Sequence, residues 1–217
     1  LCEWLKSTDT AAATGATLPE PVKIGIATYS TDTKEYRLAK FGAEFDKHLN
    51  REYCLNYYIM TELLHLYDSR GKNCMMATWG PIEEGGEYIW FPIFYDIDTQ
   101  LGINNSGVPT WDYGVDPSDQ NSFSTSDSVL WNNFGVLYND AIQIQYQDLR
   151  KNSVDIDKLD GYYNSHAIFG KGEIQSWKQI LEADNADALR SSLLSPSKLG
   201  YRPYMLTNVD QYFKYIA

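Results

Sequence analysis

Five side chains between positions 68 and 98 carry the most chemical meaning in this chain: Asp68, Arg70, Asn73, Asp96 and Asp98. An acid with a basic residue two positions on and an amide five positions on, then a strand that delivers two more carboxylates, suits phosphoryl transfer to a hydroxyl. In that chemistry Asp68 orients the hydroxyl proton and Arg70 neutralises charge on the phosphoryl group. Asn73 and the Asp96/Asp98 carboxylates supply the hard oxygen ligands that Mg²⁺ prefers. The bland alternative makes Asp68 a helix terminator, Ser69 to Gly71 a tight turn and Asp98 a strand cap, and a short motif of this kind matches by chance often enough to keep both open.

The elements that must position these residues read coarsely from periodicity. Leu38, Phe41, Phe45 and Leu49 fall on one helical face, and Leu55, Ile59, Leu63 and Leu66 on another, with a break at Asn50. Two helices therefore lead into Asp68. The stretches 73–79 and 88–95 read as strands of a β-hairpin, joined by a loop holding Pro81 and Gly85-Gly86. Before this core, a first helix is followed by a loop over 8–17 and a short strand or extended segment over 22–29. After it, residues 106–128 form a long irregular loop rich in Asn, Ser, Asp and Gly. Ser126 or Asp127 is expected to cap a helix with Leu130, Phe134, Leu137, Ala141 and Ile144 as one stripe, and further helices are expected after Ser153, over 173–181 and over 186–194. The predicted organisation is an N-terminal helix and linker (1–33), a core (34–105), the loop (106–128) and a helical C-terminal part (129–217). The fold class is α+β, a mostly helical domain around a β-hairpin.

Composition narrows the function classes. A net charge of −11 with no basic run argues against nucleic-acid binding. No window approaches the roughly 20 apolar residues that cross a bilayer. Cys2, Cys54 and Cys74 are odd in number and widely spaced, which suits neither a disulfide framework nor a zinc site and points to a reducing compartment. His48, His65 and His166 are isolated, and no Gly-x-Ser-x-Gly turn supports a hydrolase. The chain starts at Leu1 inside a helical pattern and closes on Tyr212 to Ala217, which leads to the expectation of a segment from a longer polypeptide.

The order helix, Asp68-x4-Asn73, strand, turn, strand, then Tyr95-Asp-Ile-Asp-Thr-Gln-Leu-Gly102 resembles the catalytic core of the spore-coat protein H kinase family over residues 55–105. The resemblance implies a fold like the C-terminal lobe of a protein kinase, ATP and Mg²⁺ as cofactors, Asp68 as catalytic acid, and Asn73, Asp96 and Asp98 as metal ligands. Arg70 matches only by spacing. Such a kinase also needs a β-lobe Lys, and Lys23 in Pro21-Val-Lys-Ile-Gly25 is the sole candidate, without a glycine-rich loop before it.

A second resemblance covers the whole chain. Cys2 to Leu5, Lys34 to Arg37, Lys72 to Gly80, Trp90 to Thr99, Phe123 to Asn132 and Tyr212 to Ile216 look like segments of large structural proteins of tailed bacteriophages, including the muzzle type of crAss-like phages. It implies a virion component of the tail or portal vertex, assembled in the host cytoplasm, that contacts other virion proteins and copies of itself in a ring or tube and shapes the channel for genome ejection. It implies no cofactor. A degenerate kinase-like core in a structural protein is the leading expectation, and an active Mg²⁺- and ATP-dependent kinase is the alternative.

Overall fold

A computed structural model of the chain describes residues 1–66, 68–81, 83–97, 128–153 and 158. The fold is mixed α+β: among the described residues there are five α-helices and two small antiparallel sheets of two strands each. Two units are distinguished, one made of Leu1–Leu63, Asp68–Ile97 and Ser124–Tyr146, the other of Leu64–Tyr67, Asp98–Phe123 and Gln147–Ala217.

The first unit starts with α1 (Cys2–Ser7), whose Trp4 stacks on Phe41 at 5.2 Å between ring centroids. A single 3-10 turn follows at Thr10–Ala12, capped by the Asp9 carboxylate, which accepts from the Ala11 amide at 2.9 Å. Strands β1 (Thr17–Ile24) and β2 (Ala27–Thr31) pair antiparallel through the two-residue turn Gly25-Ile26, where Gly25 adopts φ +61°. The segment 22–29, expected as a short strand or extended segment, is thus the end of a hairpin. Its turn escapes a reading by composition because Ile26, an apolar β-former, occupies the second turn position.

Helix α2 (Lys34–His48) is capped by Thr33, whose hydroxyl accepts from the Tyr36 amide at 3.2 Å, and buries Phe41 and Phe45 as its spacing predicts. The break falls at Asn50, whose side chain accepts from the Tyr53 amide at 3.1 Å and opens α3 (Arg51–Leu63). Helix α3 is buried on more than the predicted face: Cys54, Tyr57 and Thr61 join Ile59 and Leu63. Strands β3 (Met75–Thr78) and β4 (Trp90–Ile93) form the predicted hairpin with shorter strands, in the register Met75 with Ile93 and Thr78 with Trp90. Its far edge is tied down where the Asn50 amide donates to the Trp90 carbonyl at 2.8 Å.

The single helix expected after the long loop is two helices, α4 (Val129–Leu137) and α5 (Asn139–Asn152), broken at Tyr138. Ser128 stands at the N-cap, later than the expected Ser126 or Asp127. Leu130 and Phe134 of α4 are buried and Leu137 is partly exposed beside Gly42, while after the break the stripe is out of register, so Ile144 faces solvent and Ile142 takes the inward position. Helix α4 enters an aromatic core of Phe41, Phe45, Tyr57 and Trp131 at close range. A side chain on Gly135 would meet the Tyr58 hydroxyl at 2.7 Å, and one on Gly42 would meet Leu137 at the same distance. The buried Asn133 amide donates to the Thr8 carbonyl at 2.8 Å, which satisfies the backbone leaving α1.

In the second unit, the last turns of α5 carry a side-chain hydrogen bond from Asn152 to Asp148 at 2.8 Å, and His65 and Leu66 are buried. The expected helices over 173–181 and 186–194, and the long loop, lie outside the described residues. Among the described residues no helix is long and apolar enough to cross a membrane.

Candidate functional site

Residues 68–73 form a compact turn. The Asp68 carbonyl accepts from the amides of Lys72 at 3.1 Å and Asn73 at 3.0 Å, which closes the loop on itself. From α3, the buried Tyr57 hydroxyl donates to the Ser69 carbonyl at 2.7 Å and holds the turn against the helix. Tyr57 itself lies between Phe94 after β4 and Trp131 of α4, stacked at 4.8 and 5.3 Å, and burial pushes its phenol far above the usual range. The position of the turn is therefore set by aromatic packing.

Arg70 is 0% exposed. Its guanidinium pairs with the Glu62 carboxylate and lies 4.5 Å above the Tyr58 ring, so both its charge and its flat face are engaged by α3. Asp68, also buried, accepts from the Lys72 ammonium at 3.3 Å. The Asn73 side-chain amide donates to the Asp96 carboxylate at 3.2 Å and weakly to the Asp96 carbonyl at 3.5 Å. Asp96 is solvent-exposed and sits at φ +52°, a backbone conformation that Asp tolerates better than most residues. Asp98 lies outside the described residues. Lys23 is exposed on β1, opposite Thr28.

The structure thus brings Asn73 and Asp96 together across the hairpin and places Asp68 in the same turn as Asn73. Among the described residues no hydrogen bond or ion pair joins the Asp68 carboxylate to the Asn73–Asp96 pair. Nor do three His, Cys, Asp or Glu side chains among them converge as a metal group would require. Asp68, Asn73 and Asp96 are hard oxygen donors of the kind Mg²⁺ takes. As oriented, though, the Asn73 amide presents its N–H to Asp96, and Asp68 faces a lysine. The donor types fit the ion and their present arrangement does not.

The partners of the turn were missed from sequence, although a signal exists: Tyr58 and Glu62 are four apart on α3 and share a face, forming a ring-plus-carboxylate cradle for a guanidinium. Burial pushes His65 down to about 4 and lowers His48, whose ring lies 4.5 Å from Trp4. Cys54 and Cys74 are free thiols; burial holds Cys54 well above its usual range and raises Cys74, where the Trp131 indole partly offsets it. His166 is outside the described residues. Compared with protein-family models, curated proteins and solved structures, the chain matches none.

Proposed function

We propose that the chain is a structural segment of a bacteriophage particle, part of a tail, portal-vertex or muzzle assembly, whose Asp68 to Asp98 region is scaffolding with a kinase-like ancestry. The observation that carries this is the burial of Arg70. Phosphoryl transfer needs that guanidinium facing the transferred group, and here it is closed against Glu62 and Tyr58 inside the first unit. Lys23 also fits this reading, since it stands on an exposed ribbon and not beneath a phosphate-covering loop. Exposed Met75, Trp79, Tyr88, Ile93 and Tyr95 on and around the β3–β4 hairpin suit a protein that works in contact with neighbours.

One observation favours the alternative of an active Mg²⁺- and ATP-dependent kinase: the fold brings Asn73 and Asp96, 23 residues apart, within 3.2 Å, so a turn of the Asn73 amide would aim two oxygen donors at one place. Calorimetric titration of the full-length polypeptide with ATP and Mg²⁺ separates the two. The structural proposal expects no heat of binding, and a saturable Mg²⁺-dependent signal abolished by Asn73→Ala would replace it with the kinase.

A further inference from the structure

Among the described residues, the two most exposed large apolar side chains are Ile26, at 103%, and Trp79, at 87%. Both sit on hairpin connections of the first unit. Ile26 is the second residue of the β1–β2 turn, and Trp79 opens the loop between β3 and β4. Their charged neighbours are opposite in sign: exposed Lys23 stands near the end of β1, while exposed Glu83, Glu84 and Glu87 follow Trp79 in its loop.

The β1–β2 ribbon is also short of partners. No residue of either strand is buried, and a two-stranded ribbon is marginal in water unless something packs on it. At about 3.4 Å per residue, the eight residues of β1 reach on the order of 25 Å. Pro19 and Pro21 on β1 block simple edge-to-edge strand addition on that side, and Tyr29 lies against Tyr36 of α2, so the ribbon contacts a partner through its tip and its exposed face, which carries Lys23.

We infer that the ribbon of one copy docks on the β3–β4 loop face of a second copy of this chain, with Ile26 against Trp79 and Lys23 among Glu83, Glu84 and Glu87. This rests on the assembly reading above and names its partner. A second copy is the occupant because one chain carries both halves of the contact: a neutral-to-basic apolar tip and an acidic-rimmed aromatic face. With a net charge of −11 identical copies repel each other except where local charges are opposed, and the lysine-to-glutamate juxtaposition is such a place. The two surfaces differ, so the contact is head-to-tail and propagates into a ring or a tube.

Sedimentation velocity of the full chain over a micromolar concentration series tests the contact. The wild-type chain is expected to self-associate. Ile26→Asp and Trp79→Asp each weaken association about thirtyfold or more, as loss of an apolar anchor does; Ile26→Asp leaves thermal unfolding unchanged because that side chain is fully exposed, while Trp79→Asp also gives up its ring contact with Phe91 and lowers the melting temperature slightly without unfolding the chain. Lys23→Glu and the triple Glu83→Lys, Glu84→Lys, Glu87→Lys are each expected to stay monomeric alone. Mixed in equal amounts they associate again, since the unaltered ribbon of one meets the unaltered loop face of the other and the reversed charges of the remaining pair are again opposed. A mixture that forms no complex overturns the contact. Association unchanged in every variant also overturns it but leaves the assembly reading standing, whereas a wild-type chain that stays monomeric removes both.

Discussion

The two hairpins of the first unit, one closed by the two-residue turn Gly25-Ile26 and the other by the longer loop 79–89, are both built from β-forming residues, yet only β3–β4 is embedded in the fold. Phe91 and Pro92 of β4 are buried, Phe91 is flanked by Tyr53 at 4.9 Å and Trp79 at 5.4 Å, and the Asn50 amide closes the strand edge. The β1–β2 ribbon buries nothing and is held at its base. There the Asp32 carboxylate takes a bidentate pair from Arg37, at 2.6 and 2.7 Å, and two hydrogen bonds from Thr14, while Arg37 also donates to the Asp9 carbonyl at 2.9 Å. Apolar burial positions one hairpin and a charged clamp positions the other. The first keeps its geometry through packing, and the second, beyond its clamp, has only a half-buried face with Tyr29 5.7 Å from Tyr36 of α2 and leaves its other face exposed.

The contrast is broken most severely at Phe91. Truncation of a buried Phe costs about 3 to 4 kcal/mol, so Phe91→Ala should lower the urea midpoint strongly, while Tyr29→Ala on the ribbon should cost under about 1 kcal/mol. Comparable losses at the two positions would erase the distinction. Next comes the turn that feeds β3: Arg70→Ala removes one side of a buried pair and its stacking on Tyr58, at a cost of about 2 kcal/mol, discounted because Glu62 is 37% exposed. Guanidinium-chloride unfolding of Arg70→Ala that matches wild type would show the pair to be idle.

The clamp makes a pH prediction. Arg37 first, and the Thr14 hydrogen bonds after it, hold the Asp32 carboxyl well below its ordinary value of 3.8. A depressed acid contributes stability that is fully present above the unfolded value and lost as pH falls below about 4 toward the folded one. The Asp32→Asn chain should therefore show a flatter acid limb in thermal melts between pH 5 and pH 2, by roughly the value of one charge-assisted pair. His65, pushed down to about 4 by burial, erodes stability over the higher window from about 6.5 to 4, so the two limbs are separable. The smallest effect belongs to Lys72, 61% exposed on Asp68: Lys72→Ala should change stability by under about 0.5 kcal/mol, read in the same melts.

Periodicity made α2 and α3 legible because Phe41, Phe45, Ile59 and Leu63 repeat at helical spacing, and Asn50 marked their break because its side chain caps the next helix. The β3–β4 hairpin was legible from its aromatic runs and glycine pair. The split at Tyr138 was not, since Leu130, Phe134, Leu137, Ala141 and Ile144 fit one continuous stripe and outweigh the only local mark, the helix-start pair Asn139-Asp140. The inward turn of Arg70 was equally hidden: a basic residue in a loop carries no mark of whether it meets solvent, substrate or a helix.

By itself, then, the amino-acid order determined which stretches coil or extend and that Asp68, Asn73 and Asp96 are of a type to hold Mg²⁺, because these follow from side-chain spacing and donor chemistry along a short length of chain. Only the tertiary structure decided that Arg70 faces Glu62 and Tyr58, that Asn73 meets Asp96, and that one hairpin buries Phe91 and Pro92 while the other buries no residue fully. Each of these depends on packing and electrostatics between residues brought together by folding, and no local pattern encodes which partner lies across the gap.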